Sequence, residues 1–74
     1  MNRFPASTAK EIVHALERAG FVQSHQRGSH ITMINRELGL RTVVSVHAGD
    51  IPRSLLKEII KQAGFSEEEF RRFL

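Results

Sequence analysis

Cysteine is absent from the 74 residues. That excludes a disulfide staple and a thiolate zinc cluster, and leaves stability to a core of aliphatic and Phe side chains. A reducing cytoplasm suits such a chain best. Long hydrophobic runs are missing too: none approaches the ~20 residues of a membrane span, and the N-terminus lacks the apolar stretch of a signal peptide. A soluble, cytoplasmic protein that is not exported is therefore expected. Repeats, low-complexity tracts and internal linkers are also lacking. The length allows one domain, near the lower limit at which a hydrophobic core alone holds a fold, and excludes a large internal cavity. Residues 1–7 read as an N-terminal tail and 8–74 as the domain.

Acidic residues are sparse outside one short segment. Eleven Lys and Arg against eight Asp and Glu give a net charge of +3. Glu67, Glu68 and Glu69 sit together, so the preceding chain carries most of the positive character, including Arg27, Arg36, Arg41, Arg53, Lys57 and Lys61. This balance favours a polyanionic partner such as a nucleic acid without demanding one. From charge alone, a solvated basic surface is the plainer explanation.

Thr8 followed by Glu11 is a capping-box pattern, and Ile12, Val13, Leu16 and Ala19 recur at helical spacing up to Gly20, a natural stop. His14 falls beside Glu17 and Arg18, off that stripe, and reads as a surface residue. A short strand follows from Phe21 to Gln26, with Arg27-Gly28 turning into the next. The second strand, Ser29 to Ile34, alternates, with Ile31 and Met33 on one face and His30 and Thr32 on the other. The cluster Asn35-Arg36-Glu37 with Gly39 reads as a hairpin loop into a third strand, Arg41 to His47. There Thr42, Val44 and Val46 form the more apolar face, opposite Val43, Ser45 and His47. Asp50-Ile51-Pro52 opens a helix whose stripe is Leu55, Leu56, Ile59, Ile60 and Ala63, ended by Gly64. Ser66 with Glu69 is a second capping box, before a short helix carrying Phe70, Phe73 and Leu74. The expected fold is α+β: helix, three-stranded antiparallel sheet, helix, short helix, with the helices on one face as in a double-stranded-RNA-binding domain.

Register turns this outline into a site. Residues paired in an antiparallel hairpin share a constant sum of sequence numbers, here about 75 to 77. An even sum would mix the apolar and polar faces, so an odd one is expected, which sets His30 opposite Ser45 or His47. In the first case His47 is a diagonal neighbour at about 7 to 8 Å, in the second a direct one at about 5 Å. Either way both imidazoles share the open face unless a bulge at Gly39 intervenes.

Two imidazoles suit proton transfer, because the group's reference pKa of about 6.5 lets one accept a proton while another donates one near neutrality. RNA offers a matching reaction. Its 2′-hydroxyl attacks the adjacent phosphate once deprotonated, the leaving 5′-oxygen takes a proton, and cations such as Arg27 and Arg41 offset the developing charge. This route needs no metal or other cofactor. The plainer alternative is that an exposed strand histidine is a tolerated polar residue and Gly28 simply a turn glycine. His25, His30 and His47 match no compact zinc spacing, so a metal site is not expected. Ser29 and His30 point to opposite faces and form no nucleophile–base pair.

The run Lys10-Glu11-Ile12-Val13 through Ala19-Gly20-Phe21, then Gln26-Arg27-Gly28-Ser29-His30, resembles the beginning of the HicA toxins of bacterial toxin–antitoxin pairs. Val44-Ser45-Val46-His47-Ala48-Gly49 is similar to that family's third strand and turn, and Ile51-Pro52 through Lys61-Gln62-Ala63-Gly64 to its second helix. The resemblance spans roughly Thr8 to Leu74. It implies a fold like the double-stranded-RNA-binding domain, a ribosome-independent mRNA endoribonuclease activity, and a HicB-like antitoxin partner that covers the site. By position, His30 would be the catalytic histidine, with Gly28 and Ser29 in its motif. His25 stands where the family frequently has arginine, and Ser54-Leu55 where it often has Gly-Thr. His47 as a second proton carrier rests on the register argument. Arg27, Arg41, Lys57 and Lys61 are the candidate RNA-binding cations. A non-catalytic RNA-binding module is the alternative from another class, a protein-interaction domain a further one, and the sequence leaves a homodimer open.

Overall fold

The computed structural model describes residues 5–74. In chain order it comprises α1 (Ala9–Arg18), β1 (Val22–Arg27), β2 (His30–Asn35), β3 (Leu40–Ser45), α2 (Arg53–Gln62) and α3 (Glu67–Arg71). The three strands form one antiparallel sheet in the order β1-β2-β3. Four residues of the expected tail, 1–4, lie outside the described part. Ser7 is buried, and its carbonyl accepts a hydrogen bond from the Ile51 N–H at 2.8 Å.

Both capping boxes form. Thr8 Oγ1 accepts from the Glu11 N–H while the Glu11 carboxylate accepts from the Thr8 N–H, and Ser66 and Glu69 repeat the exchange at α3. Such reciprocal bonds satisfy donors that a helix start otherwise leaves open. The two longer helices also end alike. In Ala19-Gly20-Phe21 the glycine N–H bonds Glu17 O and the phenylalanine N–H bonds Leu16 O, and in Ala63-Gly64-Phe65 the acceptors are Lys61 O and Ile60 O. This is the Schellman arrangement, which requires a positive φ at the glycine, here 102° and 86°. It turns each phenylalanine inward: Phe21 is buried in the same core as Leu16, and Phe65 meets the Phe70 and Phe73 rings of the C-terminal segment at 5.8 and 5.5 Å.

The start of α2 differs from the sequence expectation. Its N-cap is Pro52 and no side chain caps it. Asp50 instead forms an isolated antiparallel bridge with Thr8, so its backbone is committed to the N-terminal segment and stays outside the helix.

Both α1 and α2 lie on one face of the sheet, closing a core of Ile12, Leu16, Phe21, Met33, Val44, Leu56, Ile59, Ile60 and Phe70, each at most 3% exposed. Thr42 is also buried there, and its hydroxyl lies 3.3 Å from Ile59 O and 3.0 Å from Gln62 Oε1, so one proton is shared between two acceptors that fasten β3 to α2. This layout is the expected α+β fold of the double-stranded-RNA-binding type. Among the described residues, no helix is long and apolar enough to cross a membrane.

Candidate active site

Pairing of β2 with β3 runs unbroken, with a residue-number sum of 75 at every pair from His30↔Ser45 to Asn35↔Leu40. Gly39 (φ 68°) turns the loop without a bulge, and the Asn35 side-chain oxygen accepts from the Leu38 N–H at 3.1 Å to hold it. Of the two odd registers, the smaller is adopted. β3 begins one residue earlier than expected and ends two earlier, at Ser45, with one further backbone bond from Val46 N to Ser29 O at 2.6 Å. His47 lies beyond the strand end, exposed, and continuation of the register would set it level with Gly28.

That last bond also sets the phase of the ladder. Ser29/Val46 is a hydrogen-bonded pair, so His30/Ser45 is the non-hydrogen-bonded kind, in which Cα atoms approach to about 4.5 Å and side chains lie close. On its other side His30 pairs with Arg27. Arg27, His30 and Ser45 thus form one row across all three strands, on the face that no helix covers.

Two local devices build this row. Gly28 and Ser29 are the whole loop between β1 and β2. Gly28 has φ 59° and Ser29 is not among positive-φ residues, the sign pattern of a type II′ turn, which takes glycine at its first central position. Gln26 Nε2 donates to Gly28 O at 3.1 Å and steadies it. A Cβ at Gly28 would meet nothing within 4 Å, so only the backbone angle demands glycine. Gly28→Ala should therefore cost about 1–2 kcal/mol, read as a lowered Tm, and should slow any His30-dependent reaction by loosening the hairpin end.

The second device is a β-bulge. Pairing runs Arg27↔His30, Gln26↔Ile31, His25↔Thr32 and then slips to Gln23↔Met33, leaving Ser24 as the extra residue. In an unbroken strand Phe21, Gln23, His25 and Arg27 would all share a face. With the bulge, Phe21 enters the core at 1% exposure while His25 and Arg27 stay beside His30 on the open face. The sequence Val-Gln-Ser-His-Gln-Arg carries no alternation that would have revealed it.

His25 is thereby a diagonal neighbour of His30, a placement the sequence, which grouped the two only as possible metal ligands, did not derive. Its Nδ1 lies 3.3 Å from Ser24 Oγ. The other sequence-designated cations are dispersed. Arg41 shares the open face, but it pairs with Ile34, about 13 Å along the sheet from the His30 row. Lys57 and Lys61 are exposed on α2, whose packed side lies against the opposite face of the sheet, so they do not join His30. Ser29 sits in the turn, where its carbonyl accepts from the Val46 N–H. Among the described residues, no three His, Asp or Glu side chains cluster as metal ligands.

An α-β-β-β-α domain with an uncovered sheet face bearing Arg27, His30, His25 and Ser45 belongs to the small α+β proteins of the double-stranded-RNA-binding layout. A family model described as the HicA toxin of bacterial toxin–antitoxin matches residues 9–65. The chain belongs to this family, and is thus a toxin of a toxin–antitoxin system with an antitoxin as its partner. A comparison with curated proteins gave no match.

Proposed function

We propose that this toxin is a metal-independent endoribonuclease acting on mRNA, with His30 as its principal proton-transfer group. The observation that carries the reading is the cross-strand row of Arg27, His30 and Ser45 on the uncovered face. An exposed imidazole there is held by strands on both sides and by a two-residue turn, and its residue pairs across the strands with Arg27. A strand that positions its side chain rigidly suits general acid–base chemistry, since the proton carrier must keep its distance to the reacting oxygen.

The reaction balances without a cofactor. An imidazole takes the 2′-hydroxyl proton, the 2′-oxygen bonds to phosphorus, the bond from phosphorus to the 5′-oxygen breaks, and a protonated group supplies the leaving oxygen's proton. Arg27 neutralises charge on the phosphate oxygens, with Arg41, Lys57 and Lys61 as further contacts along the RNA. His47 is the second proton carrier in this scheme. Loss of that proton donor should slow cleavage, so His47→Ala should lower the single-turnover rate by about a hundredfold. An unchanged rate would remove His47 from the chemistry and leave His25 as the other imidazole near His30.

A HicB-like antitoxin would inhibit by covering the open face. The domain bounds, residues 8–74, and a cytoplasmic setting belong to the same proposal. The deciding experiment incubates the purified protein with a long single-stranded RNA in excess EDTA and identifies the product ends. Cyclic phosphate and 5′-hydroxyl ends, with DNA of the same sequence left intact, are expected. Tight binding without scission would instead favour a non-catalytic RNA-binding module.

A further inference from the structure

The geometry points to a second copy of this chain pairing antiparallel along the free edge of β3, so that Arg41 of each copy completes the His30 site of the other. The inference rests on the ribonuclease reading above for the chemistry of that site, and on the sheet edge alone for the pairing.

β3 is an edge strand. Because the ladder phase turns the polar backbone groups of Leu40, Thr42 and Val44 toward β2, those of Arg41, Val43 and Ser45 point outward. No backbone or side-chain hydrogen bond among the described residues engages these three N–H and three C=O groups. A groove lined by Gly39, Leu40, Arg41, Thr42, Val43 and Gln62 flanks the Arg41 and Val43 part of this edge. The other edge is guarded: β1 carries the Ser24 bulge, a device that discourages strand addition. β3 has no bulge, no proline and a single charge, Arg41.

The edge is self-complementary about Val43. A two-fold axis there pairs Val43 with its own copy and Arg41 with Ser45 of the second copy, so every outward group finds a partner and no like charges meet. On the helix side the same register sets Leu40 against Val46 of the second copy, and Val46 is 39% exposed in the single chain. On the open face it extends the catalytic row to Arg27, His30, Ser45 and then Arg41 of the second copy. Adding a non-hydrogen-bonded and a hydrogen-bonded spacing places that Arg41 about 10 Å from His30 between Cα atoms. Within one chain, Arg41 lies about 13 Å along the sheet from the His30 row, beside Ile34. An imidazole and a long guanidinium side chain projecting from one row at about 10 Å can hold a phosphate between them.

Sedimentation of the full chain tests the pairing. The wild type should approach twice the 8.4 kDa of one chain at tens of micromolar. Val43→Pro, which removes the N–H on the axis, should sediment as one chain. Val43→Lys, which opposes two like charges there, should do the same, and guards against a proline variant that merely unfolds; circular dichroism checks both. A wild type that remains a single chain, including one whose edge accepts only an antitoxin strand, overturns the pairing, as does a dimer unaffected by a folded Val43→Lys variant.

Mixing tests the shared site. His30→Ala and Arg41→Ala proteins, each impaired alone, should on subunit exchange form dimers with one intact site, restoring up to about a quarter of wild-type cleavage if pairing is random. A mixture no faster than the mean of the two overturns the contribution in trans. Absence of cleavage by the wild type itself would sink the ribonuclease reading and the composite site with it, while sedimentation still decides the edge pairing.

Discussion

His30→Ala should lower RNA cleavage by at least about a thousandfold, within the range that positioned acid–base groups contribute, while leaving the fold intact. His30 is exposed on the open sheet face and belongs to no part of the core. Its truncation should therefore change stability by no more than about 0.5 kcal/mol. The loss should fall on kcat, with RNA affinity retained, because the substitution leaves Arg27 and the other proposed phosphate contacts in place. Initial rates under single-turnover conditions, a filter-binding curve and a thermal melt of the same preparation separate these terms. A variant that retains a tenth or more of the wild-type rate would move the proton transfer elsewhere, and a variant that unfolds would make the histidine structural.

Phe70→Ala should produce the largest loss of stability, about 3–5 kcal/mol. A domain of this length has only about 4–11 kcal/mol in total, so most of the folding free energy would go. Phe70 is fully buried, although its helix is only five residues long. Its ring lies 5.8 Å from Phe65 and 6.2 Å from Phe73, both tilted pairs of the favoured kind. Arg18 Nε donates to Phe73 O at 2.6 Å, which ties the chain's last turn to the end of α1. The short helix is thus held by burial and by this long-range bond, since five residues form no stable helix alone. Urea denaturation followed by circular dichroism reads the effect as a lower midpoint at unchanged slope. A midpoint close to the wild type's would mean that α3 is dispensable to the core. The pair of variants also separates causes: Phe70→Ala should lose activity with structure, His30→Ala activity alone.

Much of this protein is decided locally. The capping boxes at Thr8 and Ser66, the Ala-Gly-Phe ends of α1 and α2, and the alternation of β2 and β3 are short-range rules. The residues that obey them lie within a few positions of one another, so element order and the apolar face could be read from the chain. Parity alone then sufficed to put His30 opposite Ser45 or His47, because any other register would bury polar side chains or expose the core. The choice between the two needed the loop: Asn35 caps Leu38 and Gly39 takes a positive φ, which closes the turn at four residues.

Tertiary structure decided the rest. The Ser24 bulge has no local signature. It exists because Phe21 must reach the core at one end of β1 while Arg27 pairs beside His30 at the other, and an unbroken strand cannot satisfy both. The same requirement put His25 on the open face diagonal to His30, where the sequence had weighed it only as a metal ligand and as a substitution for arginine. Asp50, a reasonable helix cap by position, was taken by its bridge to Thr8, a partner distant in sequence. The separation of Lys57 and Lys61 from His30 likewise follows from which sheet face the helices cover. Composition determined that the chain is basic and periodicity determined its elements, but which basic groups share a surface depends on packing between segments far apart in the chain.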